Sequence, residues 1–209
     1  MSLYLGKIHY WLYNKIKWAE QMEDDIIKWT KSKDLPADQW MKDAIHKYGE
    51  PVGNKLLEDE IDTGNIHGWL HSRIEGAELR LAYIVTTIIE ANPELKEGII
   101  ELFENQGERA AKKYTADIKT PEDAFTALND FILEGMPCDR VNEVISSDAN
   151  KYSWRTTACL HKAYWDNVEG DVSIFYTLRD TWVKAFVETL TPKFKYTKTE
   201  DAVHEIIKQ

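Results

Sequence analysis

Cysteine is scarce in this chain. Cys138 and Cys159 are the two in 209 residues, too few for a disulfide framework at this size. A reducing cytoplasm is the expected location. Basic charge is also short: 26 Lys and Arg stand against 36 Asp and Glu, for a net charge of −10. Nucleic acid is therefore not expected as a partner, because neutralising phosphates needs a basic face. Long apolar runs are missing too. The stretch Leu79–Ile89 is broken by Arg80 and two threonines, and nothing approaches the roughly 18 apolar residues of a membrane span. Met1-Ser2-Leu3 leads straight into an amphipathic pattern rather than a signal-peptide core.

Glycine and proline are sparse, at 10 and 6 residues, whereas tryptophan and tyrosine reach 8 and 10. Few helix breakers and many large aromatics suit long, well-packed helices. With 43% hydrophobic and 30% charged residues, the chain can bury a sizeable core and is not disordered.

The 3.6-residue period predicts helices over 3–31, from 36 or 38 to 47, over 52–61, 66–91, 94–117, 120–133 and 172–190. Thr120-Pro121-Glu122-Asp123 marks a helix start, with Thr as cap, Pro at the first position and acids in the first turn. Beyond Gly135-Met136-Pro137 the texture changes. Tyr152–Leu160 is rich in aromatic and β-branched residues and reads as a strand. Lys193–Thr199 alternates, with Ala202–Ile207 as its hairpin partner across Glu200-Asp201. The expected class is α+β and helix-dominated. It is read as a single domain over 1–209, with a helical body to about residue 150 and a small strand–helix–hairpin unit over 151–209 packed on it.

Residues 6–20 and 64–78 resemble each other at an offset of 58: the pairs Gly6/Gly64, Ile8/Ile66, His9/His67, Trp11/Trp69, Leu12/Leu70, Ile16/Ile74, Ala19/Ala77 and Glu20/Glu78 are identical. Two copies are too few for a solenoid, and suit a duplicated helix packed as a pseudo-two-fold pair. His and Glu of one copy are eleven residues apart, about 16 Å along a helix and on one face, so they cannot hold one metal together. Antiparallel packing would bring His9 beside Glu78 and Glu20 beside His67. Such pairs would satisfy one another in a core and set the helix register. The competing reading makes His9, Glu20, His67, Glu78, Trp11 and Trp69 the walls of a polar, aromatic ligand pocket. His71, four residues after His67, adds a metal-binding spacing, with Glu20 as an acid that could join it. No Glu-x-x-His di-iron motif is present.

On a strand, Cys159 and His161 would share a face, and an imidazole beside a thiol can generate a nucleophile; a buried apolar cysteine is the plainer alternative. Cys138, at an expected helix start, has a weaker claim to a lowered pKa. From Tyr152 onward the order is a strand ending in Cys159, an aromatic loop (Tyr164-Trp165), a helix with Asp180, the strand Phe194–Thr199 and a terminal strand. This order resembles the C-terminal part of the bacterial L-2-amino-thiazoline-4-carboxylate hydrolase family, which opens a cyclic thiazoline on the way to cysteine. The resemblance covers about residues 152–209 and implies functional positions at Cys159, Asp180 and Thr199. The chain differs in its last strand, where Ala202-Val203-His204-Glu205 stands in place of the family's further cysteine.

Three functions follow as expectations. One is a cysteine-dependent hydrolase of a small C–N or C–S compound, with Cys159 as nucleophile, His161 or His204 as base and Asp180 as the orienting acid. A second is a non-catalytic small-molecule binder built on the duplicated helices. The third is a helical metalloprotein using His67 and His71. A small-molecule ligand or substrate is the expected partner, with neither nucleic acid nor membrane. The sequence designates no cofactor and leaves the oligomeric state open, a homodimer included.

Overall fold

A computed structural model describes residues 5–209. Among them are eight α-helices and one four-stranded sheet, 61% helix in all, so the fold is α+β and helix-dominated. The chain divides into two compact units that are not consecutive in sequence. The helical unit comprises residues up to Ile99 together with Leu160–Val172; the sheet unit comprises Ile100–Cys159 and Ser173–Gln209.

The helical unit contains α1 (Lys7–Lys31), α2 (Ala37–Tyr48), the single turn α3 (Leu57–Glu60), α4 (Ile66–Ala91) and α7 (His161–Asn167). The expected start of α1 at residues 3 and 4 lies outside the described residues. Helix α4 is central, with α1, α2 and α7 packed around it. Its apolar positions Leu70, Ile74, Ala77, Ile84, Val85 and Ile88 are buried, as are Leu12, Ile16 and Ile26 of α1, which packs on it. At Gly76 a Cβ would lie 2.9 Å from Tyr48 O, so only glycine lets the end of α2 approach this closely.

Within that core sits a charged cluster. Arg80 of α4, 1% exposed, donates to Glu23 from Nε at 2.8 Å and Nη2 at 3.2 Å, to Glu20 from Nη2 at 2.8 Å, and to Gly49 O from Nη1 at 2.9 Å. Glu20 also accepts from the backbone N–H groups of Val52 and Gly53. One guanidinium thus ties α1, α4 and the segment after α2 together. Two carboxyls share this single cation, and burial pushes the Glu23 carboxyl up to about 8 in spite of Arg80 beside it.

The sheet unit carries most of α5 (Lys96–Lys113), with α6 (Pro121–Asn129), β1 (Asn142–Ser147), β2 (Lys151–Thr156), α8 (Val172–Leu190), β3 (Phe194–Lys198) and β4 (Val203–Lys208). Helix α6 starts at the expected Thr120 cap, and the structure makes it a capping box: Thr120 Oγ1 accepts from Asp123 N, and Asp123 accepts from Thr120 N. The strands are antiparallel in the order β1-β2-β4-β3. Their register puts Tyr152, Trp154 and Thr156 on one face with His204 and Ile206 of β4 and Phe194, Tyr196 and Lys198 of β3. Phe125 of α6 stacks on this face, 4.5 Å from the ring of Tyr152 and 4.7 Å from that of Trp154.

The structure corrects two sequence expectations here. The strand expected over 152–160 ends at Thr156, so Cys159 is not on a strand and His161 opens a helix. Strand β1 was not anticipated: Val144 and Ile145 are about half exposed at the sheet edge, and a register shift between Val144 and Ser146 blurs the two-residue period.

Removing Arg80 strands two buried carboxyls, so Arg80→Met should cost about 3–5 kcal/mol, read as a lower urea midpoint. Glu23 makes a second prediction. Its folded pKa is raised from 4.5 to about 8, so the native state holds the proton more tightly. The associated stability is present below pH 4.5 and is lost as pH rises through about 8. Glu23→Gln should flatten the fall in urea midpoint across that window; an unchanged slope would mean that Glu23 does not titrate there.

Candidate functional site

The inner sheet face, α6 and α8 enclose a pocket in the sheet unit. Phe125, Trp154 and Phe175 supply its aromatic wall, and Tyr176, Arg179, Asp180 and His204 its polar chemistry. About 40 Å³ of it is open to atoms of solvent size, enough for a water or a small functional group.

Two of these side chains, Asp180 and His204, are joined by Tyr196 of β3 in a chain of hydrogen bonds. Tyr196 Oη lies 3.3 Å from Asp180 Oδ1 and 2.6 Å from His204 Nδ1. Asp180 Oδ2 also accepts from Lys198 Nζ at 2.7 Å. The phenol has one proton, and both contacts are hydrogen bonds in only one arrangement: Tyr196 donates to Asp180, and His204 donates from Nδ1–H to the phenol oxygen. That tautomer leaves the lone pair on Nε2 of a residue lining the pocket. The imidazole is stacked on Trp154 at 5.1 Å and 13°. Burial, followed by the charge of Lys198, lowers its pKa from 6.5 to about 4, so it is neutral at neutral pH. Burial and the neighbouring Asp180 hold the Tyr196 phenol well above the usual range.

On α8, Arg179 donates to Glu134 Oε2 at 2.6 Å and to Leu133 O at 2.9 Å, and its guanidinium lies over Phe175. Tyr176, one turn before Asp180, is hydrogen-bonded to the Cys159 thiol; burial first and this bond second raise its phenol pKa. The exposed Cys159 is therefore one hydrogen bond from the pocket wall.

Of the four expected catalytic residues, Asp180 and His204 are brought together, and Cys159 is attached through Tyr176. His161 is not with them. It is 2% exposed inside the helical unit, with Nδ1 3.1 Å from Glu78 Oε2. Thr199, implied by the resemblance, accepts from Val203 N in the β3–β4 turn. Sequence reasoning missed Tyr196, Tyr176, Arg179 and Glu134. The alternation Phe194-Lys195-Tyr196 does signal that Tyr196 shares the face of His204.

The ligand-binding set expected from the matched segments is arranged differently. The helices lie alongside each other but run the same way. His9 faces His67 (ring centroids 6.0 Å apart), Tyr13 faces Trp69 (6.1 Å), and Glu20 and Glu23 face Arg80. The expected pairs His9–Glu78 and Glu20–His67 therefore do not form. Glu78 is held by His161, Glu20 by Arg80, and His9 Nδ1 accepts from Gly6 N at 3.0 Å. Trp11 and Trp69 each carry a cation, Lys15 at 3.9 Å and Arg73 at 5.0 Å. His67 and His71 are exposed on α4. Among the described residues no three His, Cys, Asp or Glu side chains are grouped to hold a metal.

The chain matches no protein-family profile, no curated protein and no solved structure.

Because the folded His204 pKa lies below its unfolded value, its contribution to stability is intact above pH 6.5 and is lost as pH falls through about 4. An NMR titration should find the His204 ring titrating near pH 4, and Lys198→Gln should move that midpoint upward. A midpoint near 6.5 in the unmodified protein would contradict the buried, relay-held imidazole. In the helical unit, Glu78→Ala should lower the melting temperature and His9→Ala should leave it nearly unchanged. The first removes the buried Glu78–His161 contact, at about 1–3 kcal/mol, whereas the second removes one partly exposed capping contact.

Proposed function

We propose that the protein is a hydrolase of a small C–N or C–S compound and that its chemistry takes place in the sheet-unit pocket. The observation carrying this reading is the Asp180–Tyr196–His204 relay, which ends on a neutral imidazole whose residue lines a small aromatic-walled space. In this reading His204 is the general base. Asp180, acting through Tyr196, keeps the ring in the useful tautomer and stabilises the imidazolium formed when a proton is taken. A pKa near 4 makes it a modest base that is always in the active form at neutral pH. Cys159 is the nucleophile this reading assigns, with Tyr176 holding the thiol at the pocket edge. The resemblance of residues 152–209 to thiazoline hydrolases points the same way, since of its positions Asp180 lines the pocket and Cys159 is bonded to the pocket-lining Tyr176.

One observation favours a second reading, a non-catalytic small-molecule binder in the same pocket: His161, the imidazole nearest to Cys159 in sequence, is buried with Nδ1 bonded to Glu78. Ring-opening of cyclic thiazolines releases a thiol, which a thiol-reactive dye detects. The hydrolase reading expects turnover by the unmodified protein and a drop of about 10²–10⁴ in kcat for His204→Gln, with Cys159→Ser inactive. Binding of such compounds without turnover would establish the second reading instead.

A further inference from the structure

The two cysteines are far apart in sequence, but the fold tethers them to one neighbourhood of the sheet unit. Cys138 is in the loop that joins Glu134 to Val141, and both ends of that loop are fastened close to Cys159. At the first end, Leu133 and Glu134 are held by Arg179 of α8. Tyr176, one turn earlier on α8, is hydrogen-bonded to the Cys159 thiol and lies within the field of Glu134. At the other end, Val141 O accepts from Thr157 N at 2.7 Å and from Thr157 Oγ1 at 3.1 Å, and Thr157 is two residues before Cys159. The loop between is compact. Gly135 (φ 66) and Arg140 (φ 48) reverse the chain, Pro137–Asp139 forms a 3-10 turn, and Asp139 accepts from Met136 N at 2.7 Å. A 3-10 turn advances only about 2 Å per residue, so the path from Glu134 to Val141 through Cys138 is short. Both thiols are exposed.

We propose that Cys138 and Cys159 are a dithiol couple that closes reversibly to an intrachain disulfide. The oxidant is a low-molecular-weight disulfide of the glutathione class. One protein thiolate attacks it, forming a mixed disulfide and expelling one small thiol; the other protein thiolate then displaces the second small thiol. A protein S–S bond forms, the small disulfide is reduced to two thiols, and the two thiol protons of the protein end on them. Closure takes the Cys159 sulfur away from Tyr176, a residue of the pocket wall. On the functional reading above, and resting on it, closure also removes the nucleophile, so the pocket is active only when reduced.

The test is intact mass and peptide mapping of the full chain after incubation with oxidised glutathione. The expected product is a monomer lighter by two hydrogens, with Cys138 and Cys159 in one cross-linked peptide pair, and reversed by dithiothreitol. Cys138→Ser should instead carry a single glutathione on Cys159. Two glutathione adducts on the unmodified protein, or a covalent dimer, would overturn the proposal. The readout is mass alone, so failure here leaves the hydrolase reading standing, and absence of turnover leaves the couple standing.

Discussion

A guanidinium buried away from water must find an anion and fill its remaining donors, and Arg80 does both at the centre of the helical unit. Its three partners come from two places: Glu20 and Glu23 on α1, and Gly49 O after α2. Apolar packing alone would let α1 and α4 slide or rotate at small cost, because hydrophobic burial has no direction. The charge-assisted bonds do not allow this, since a shift of one turn would leave two carboxyls and a guanidinium unpaired in the core. The register they impose sets His9 opposite His67 and turns Glu78 toward α7, where His161 meets it.

A polar network of a different kind organises the sheet unit. Tyr152, Trp154, Phe194, Tyr196 and Ile206 make an aromatic and aliphatic inner face, and into that face the sequence inserts one histidine. An imidazole there is costly to charge, which is why its pKa falls, and it needs a partner, which Tyr196 supplies. Tyr196 in turn reaches Asp180 on α8, whose second oxygen is neutralised by Lys198. Each group answers the hydrogen-bonding need of the one before it, and the chain begins on a residue facing open space. The helical unit pairs its buried Arg80 with Glu20 and Glu23, whereas in the sheet unit the end of the network, His204, lines the pocket.

Much of the helical architecture was legible in the residues, because amphipathic period and capping are local properties: α4 spans Ile66–Ala91 and α6 begins after Thr120, both as read. The hairpin of β3 and β4 was equally plain from alternation. The end of β2 was not. Its ladder stops where its neighbours stop supplying partners, at Val203 of β4 and Asn142 of β1. Cys159 therefore falls beyond the sheet, and the shared face with His161 disappears. Within the site, Cys159, Asp180 and His204 were visible as reactive residue types. Tyr196, Tyr176, Arg179 and Glu134 were not singled out, since their importance lies in what they touch.

Composition and period were sufficient for the α+β class, most helix limits and the finding that no helix among the described residues is long and apolar enough to cross a membrane, none of which depends on which residues meet across space. Partnership belonged to the tertiary structure. Residues 32–65, with α2 and α3, return the chain to the end where α1 began, so the matched helices run parallel and His9 meets His67 rather than Glu78. No local pattern encodes that direction, because a helical stripe is equally apolar read from either end. In the same way, His161 and His204 are alike as sequence. Only the fold makes one a neutralised core residue beside Glu78 and the other a relay-held imidazole at a pocket, because each takes its role from partners that lie 83 and 8 residues away.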